Sequence, residues 1–431
     1  MKFRPGLQKA SPGVYTLISA VAAFCVYTCM YAFRKPFTAA NYGSLQFLHI
    51  DYKIWLVIAQ TIGYTGSKFF GIRFIAEVKK KNRFPFIIIN IGIAWSALFF
   101  FALVPAPYNI IFLLLNGFPL GVIYGLVFSY LEGRKTTEFL GAVLSASFIF
   151  ASGFTQSAGK YILLEWHTGT WWMPFITGLL FFPPLLLFAW LLEQTPAPSQ
   201  QDMELRTERK MMNRKERRQF IRAFYPGLVL LIITYVLLTV IRDYRSNFAA
   251  DIWNELGLGN DTAVFTRSEL IPSVTVLLIM SLMIMIRNNI RALFINHTLV
   301  IIGFFIAMVS TILFSAHWVS PFWWMTLTGT GLYLGYVPFN CMLFERLIAS
   351  FKYVSTAGFI IYVADSFGYL GSDIILLVKN FSGMSMSWTN FFIQMIMILS
   401  VMGILLTFFS VLYFKKRYQL QFSDPLNMKY A

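Results

Sequence analysis

Apolar residues occur along this chain in long runs, and the polar positions gather in the short gaps between them. Windows of about 20 mostly apolar residues read as membrane-spanning helices. They fall near 13–38, 53–75, 84–104, 109–131, 138–162, 172–193, 225–250, 268–286, 292–315, 321–344, 354–377 and 389–414. The fifth and eleventh windows are the most polar. The predicted fold is therefore an all-α polytopic membrane protein of twelve transmembrane helices. Two six-helix halves, 13–193 and 223–414, are joined by a basic segment at 194–222.

Composition agrees with the pattern. Of the 431 residues 57% are hydrophobic and 13% charged, against about 25% charged in soluble domains, so no sizeable soluble domain is expected. The formal net charge of +16 does not point to a nucleic-acid partner. The basic residues sit in alternate loops, among them Lys79–Lys81, Arg134–Lys135, Arg287 and Lys415–Arg417. That is the charge bias of topology, and it puts both termini and the 194–222 segment in the cytoplasm, with a bacterial inner membrane as the expected location. The first window has no short apolar core with a cleavage site and reads as a retained span. Cys25, Cys29 and Cys341 lie inside apolar runs and read as small buried hydrophobes.

The two halves look like parallel repeats. In the fourth window Leu120-Gly121 leads to Glu132 and Arg134; in the tenth, Leu334-Gly335 leads to Glu345 and Arg346. Arg34-Lys35-Pro36-Phe37 near the end of the first window matches Arg245-Ser246-Asn247-Phe248 in the seventh, with Ala39-Ala40 one residue off Ala249-Ala250. Small residues at four-residue spacing (Gly117, Gly121 and Gly125; Gly331 and Gly335) predict close helix packing. The mixed charges and scattered apolar residues of 194–222 suit either a helix on the membrane surface or a solvated linker.

No nucleophile elbow, phosphate-binding loop or His-Glu-x-x-His motif is present, and His49, His167, His297 and His317 are scattered near loop ends. An enzyme is not expected, nor is any cofactor or metal. What remains is a set of ionisable residues in or near the spans: Arg34, Lys35, Lys68, Arg242 and Arg245 against Asp243, Glu269, Asp365 and Asp373. Guanidinium presents a fork that matches phosphate or carboxylate bidentately. One arginine from each half, Arg34 with Arg242 or Arg245, would clamp an anion at the repeat interface. The alternative is that these arginines snorkel to the outer interface. Arg34 lies about 30 Å along a straight helix from Val14, which favours that alternative unless Pro36 breaks the helix.

The layout resembles the major facilitator superfamily, and several stretches resemble its organophosphate:phosphate antiporters. The resemblance rests on Arg34-Lys35-Pro36-Phe37, on Tyr64-Thr-Gly-Ser67-Lys68-Phe69 and on Phe367-Gly368-Tyr369-Leu370-Gly371. It implies a monomeric transporter in the lipid bilayer that exchanges a small phosphorylated anion for phosphate by alternating access, with Arg34, Lys68 and Arg242 or Arg245 binding the anion. Lys35 would pair across the halves with Asp243, Asp251 or Glu269. Glu132–Arg134 and Glu345–Arg346 are expected either to form gating charge pairs or to be ordinary topology charges. Asp365 and Asp373 would select the other end of the substrate, couple a proton, or simply join helices. The family's fifth-span histidine has no counterpart in Gly141–Lys160, which argues against glycerol 3-phosphate as the substrate. A transporter-like receptor and a proton-coupled carboxylate symporter are the rival readings.

Overall fold

The computed structural model describes residues 12–43, 45–77, 82–131, 134, 136–195, 214–351, 353, 357–381 and 386–422. Helix α1 (Pro12–Tyr31) passes through a 3-10 turn (Pro36–Ala39) into a hairpin of β1 (Gln46–Phe47) and β2 (Ile50–Asp51). The first half continues with α2 (Tyr52–Glu77), α3 (Arg83–Leu103), α4 (Ile110–Leu120), α5 (Ile123–Leu131), α6 (Thr137–Glu165) and α7 (Met173–Glu193). The second half holds α8 (Arg214–Asn247), α9 (Ala249–Glu255), α10 (Val264–Ile284), α11 (Asn289–Ser315) and α12 (Pro321–Cys341). It ends with α13 (Leu343–Ser350), α14 (Ala357–Phe381) and α15 (Trp388–Phe422).

Nine helical stretches among the described residues are long and apolar enough to cross a membrane. The long helices outside that group are α2, α12 and α14. They are also polar ones: Lys53 and Lys68 lie in α2, Asp365 and Asp373 in α14, and glycine, threonine and tyrosine recur in α12. Large apolar side chains such as Phe69, Leu278, Leu405 and Phe408 are exposed on the outside of the bundle. Lipid accepts such a surface, and helices satisfy their own backbone groups within it. The chain is an integral membrane protein.

Glycine sets the closest helix contacts. A Cβ on Gly117 of α4 would come within 2.2 Å of the Gln60 carbonyl oxygen of α2, and one on Gly331 of α12 within 2.4 Å of the Gly303 oxygen of α11. Only backbone can meet backbone at such range. Between the halves, α2 packs on α14, and α6 packs on α10 and α12.

Several predicted boundaries move. The first span is not one helix to residue 38, since α1 stops at Tyr31. Pro36 has no N–H and its ring would strike the carbonyl four residues back, which favours a helix end before it. Pro226, Pro272 and Pro338 are nonetheless accommodated inside helices elsewhere. The fourth, seventh and tenth windows are each divided in two: by Gly121-Val122, by Phe248 and by Met342. Residues 214–222 open the 34-residue helix α8 instead of belonging to a separate linker, while 196–213 and Glu132 lie outside the described residues. His297 is not near a loop end. It is buried inside α11 and bonded to Leu293 O and Ser410 Oγ.

Candidate functional site

The break after α1 positions the first arginine. The last turn tightens into i→i−3 bonds, from Phe33 N to Met30 O and from Arg34 N to Tyr31 O (both 3.0 Å). This leaves the Phe33 and Arg34 carbonyls without helical donors. Asn116 of α4 donates to Phe33 O (3.0 Å) and Gln60 of α2 to Arg34 O (3.0 Å), while Gln60 also donates to Asn116 Oδ1 (2.7 Å). Broken backbone at membrane depth persists only where such donors are supplied. The Arg34 side chain is thereby turned into the bundle, 8% exposed. Its guanidinium stands 3.8 Å over the Tyr64 ring and 5.9 Å from that of Tyr369, and its Nε has no hydrogen-bond partner. Among the described residues it has no carboxylate partner.

The matching stretch in the second half behaves differently, because α8 continues to Asn247 and keeps both arginines helical. Arg242 donates through Nε and Nη2 to Asp243 Oδ1 (3.0 and 2.7 Å) and lies 4.0 Å over Tyr336. It also lies 5.8 Å from the Tyr369 ring that Arg34 approaches from the other half. Arg245 is held elsewhere, by Glu269 of α10 and by Met325 O of α12 (2.9 Å). The repeat alignment favours Arg245 as the partner of Arg34, but the structure brings Arg242 there. Equal sequence offsets do not give equal positions when one helix has ended and the other has not.

Between the halves lies a small cavity lined by Tyr31, Arg34, Lys35, Phe148, Ser152, Arg242, Asp243, Ser246, Tyr333 and Tyr369. Three basic side chains face one carboxylate there. A second small cavity, lined by Asp243 too, is bordered by Thr61, Tyr244, Asn247, Ser372 and Asp373.

Contacts across the halves lie on both sides of the site. Toward the hairpin, Gln156 donates to Thr38 Oγ1 and Ser246 O (both 2.7 Å), Ser152 and Ser246 hydroxyls meet at 2.8 Å, and Lys53 pairs with Asp251 (2.6 Å). Asp51 beside this pair has its carboxyl raised by burial. Toward the basic loops, Tyr64 packs edge-on to Tyr369, and Lys68 pairs with Asp365 (3.2 Å), which also accepts from Tyr235. Farther out, Arg346 reaches Glu138 (3.1 Å) and Asn289 (2.8 Å).

These contacts revise several expected pairings. Lys35 crosses the halves but donates to Asn247 Oδ1 (2.6 Å), because Asp243, Asp251 and Glu269 are taken by Arg242, Lys53 and Arg245. Lys68 is engaged with Asp365 and does not line either cavity. Arg346 pairs with Glu138 of the other half, not with Glu345 beside it. Arg134 lies 5.6 Å from the Tyr15 ring. Asp373, by contrast, has no hydrogen bond or ion pair among the described residues, and its buried Oδ1 is bare.

Gln60, Asn116, Lys53, Glu138 and the tyrosine cluster are functional candidates that sequence reasoning passed over. Gln60 and Asn116 carried a signal, since each is a lone amide inside an apolar run beside a glycine-packed contact. The tyrosines carried none.

The arrangement of helices has a counterpart among solved structures. A solved D-xylose-proton symporter superposes with a TM-score of 0.57 over 92% of this chain and 96% of that one, at 14% sequence identity. No curated protein matches the sequence. A family described as a family of unknown function (DUF5690) matches residues 36–417, and the chain belongs to that family.

Proposed function

We propose that this chain is a twelve-helix secondary transporter, α2, α12 and α14 spanning with the rest, and that its two six-helix halves rock about the central cavity. Its substrate is a small organic anion, a phosphorylated metabolite exchanged for inorganic phosphate. The observation that carries this reading is Arg34: a guanidinium 8% exposed, facing a cavity between the halves with no carboxylate partner among the described residues. Burying an ion has an effective cost of several kcal/mol. Stacking on tyrosine returns about 0.5–2 kcal/mol, so the deficit is left for an incoming anion. With Arg34, Lys35 and Arg242 against Asp243, the lining carries a formal excess of two positive charges. A phosphate monoester, at about −1.5 to −2, matches that better than one carboxylate. It matches it far better than a neutral sugar such as the substrate of the D-xylose symporter.

The test uses the purified protein in proteoliposomes loaded with phosphate. Arg34→Lys and Arg242→Lys each keep the charge and lose the bidentate fork, and each is expected to lower organic phosphate uptake at least about tenfold. Normal uptake by both variants overturns the clamp. Uptake that ignores internal phosphate and follows a pH gradient overturns the exchange and makes the protein a symporter.

A further inference from the structure

The anion cavity has a neighbour. Asp243 lines both cavities, so the space beside Arg34 and the space beside Asp373 lie on either side of that residue. Asp373 is 7% exposed, and its buried Oδ1 has no hydrogen-bond partner. No lysine, arginine or histidine lines its cavity. A buried carboxyl in such surroundings either takes a proton or meets a cation, whereas the Arg34 guanidinium cannot give up its charge. Asp243 cannot relieve it, being itself acidic and already bonded to Arg242 and to Ser372 Oγ (3.1 Å).

We propose that this second cavity receives a protonated amine, so that the substrate is an amine-bearing organic phosphate spanning both cavities. The inference rests on the anion-binding reading above. Three features of the cavity fit an ammonium group. Asp373 supplies the counter-charge, Tyr244 contributes to the wall, and Thr61 supplies a further oxygen. A hydroxyl in place of the amine brings no counter-charge and would leave the Asp373 carboxyl to be satisfied by a proton.

Binding to the purified protein is measured for two matched pairs, glucosamine 6-phosphate with glucose 6-phosphate and 2-aminoethyl phosphate with 2-hydroxyethyl phosphate. The amine member of at least one pair is expected to bind at least about tenfold more tightly. The near-isosteric Asp373→Asn should erase that preference while keeping the hydroxyl member's affinity, which also shows that the variant is folded. Equal binding within both pairs by the wild type overturns the amine site and leaves the anion site standing. A preference that survives Asp373→Asn overturns the assignment to this carboxylate. No binding of any of the four overturns the anion site, and the amine site with it.

Discussion

Arg34 and Arg245 stand at matching places in two similar stretches of sequence, and the protein treats them in opposite ways. Arg245 stays inside α8, where Glu269 and Met325 O satisfy it within one half of the molecule. Arg34 lies beyond the end of α1, against tyrosine rings, with its charge open to the central cavity. A paired buried arginine is part of the structure, whereas an unpaired one is a site. The repeat placed both near the interface, and Pro36, which has no equivalent at Asn247, separated their roles.

The sharpest way to break this contrast is to remove compensation from one and charge from the other. Glu269→Gln strands the guanidinium of Arg245, a residue 2% exposed. It is expected to destabilise the protein by about 3–5 kcal/mol, the usual cost of breaking a buried pair. Arg34→Gln removes a charge that has no partner to lose, so thermal stability in detergent should hold or rise while organic phosphate uptake disappears. Equal destabilisation by both would mean that Arg34 is as structural as Arg245.

The next effect concerns the break that exposes Arg34. Asn116→Leu removes the donor to Phe33 O and Ala94 O (3.0 and 2.9 Å). Stranded buried carbonyls cost about 1–3 kcal/mol, at the lower end where other membrane partners substitute. A thermal shift of that order together with weakened anion binding is expected. Unchanged binding would show that the loop holds Arg34 without this amide.

How far the sequence could be read follows from the same residues. The apolar windows locate every long helix, because lipid imposes length and composition directly. The glycine spacings around Gly117 and Gly331 are legible too, because helices that approach this closely admit only small residues. Partner choice is not. Whether Glu269 reaches Lys35 or Arg245, and whether Lys68 faces substrate or Asp365, depends on helix rotation and on where α1 and α8 end. Pro36 signalled a break, but no local signal told how far it would carry the side chain of Arg34. The clustering of Tyr64, Tyr235, Tyr336 and Tyr369 from four separate helices is a tertiary fact with no trace in spacing.

The smallest effect separates compensation within a half from compensation between halves. Lys53–Asp251 is as buried and as close as the structural pairs, yet it joins α2 to α9 across the interface. If the halves rock, this pair breaks in each cycle while Arg245–Glu269 stays made. Asp251→Asn should therefore alter the balance of states more than stability. A bias of about 1–2 kcal/mol is a factor of about 5–30 in population. A cysteine at Ser152, in a background without Cys25, Cys29 and Cys341, reports it through labelling by a thiol reagent applied at the hairpin face. Labelling should speed up in Asp251→Asn and return toward the starting rate in the charge swap Lys53→Asp with Asp251→Lys. The swap restores attraction at the same place only if the pair acts as a latch. Faster labelling in Glu269→Gln to the same degree would erase the distinction, because a pair confined to one half has no reason to report on the opening between them.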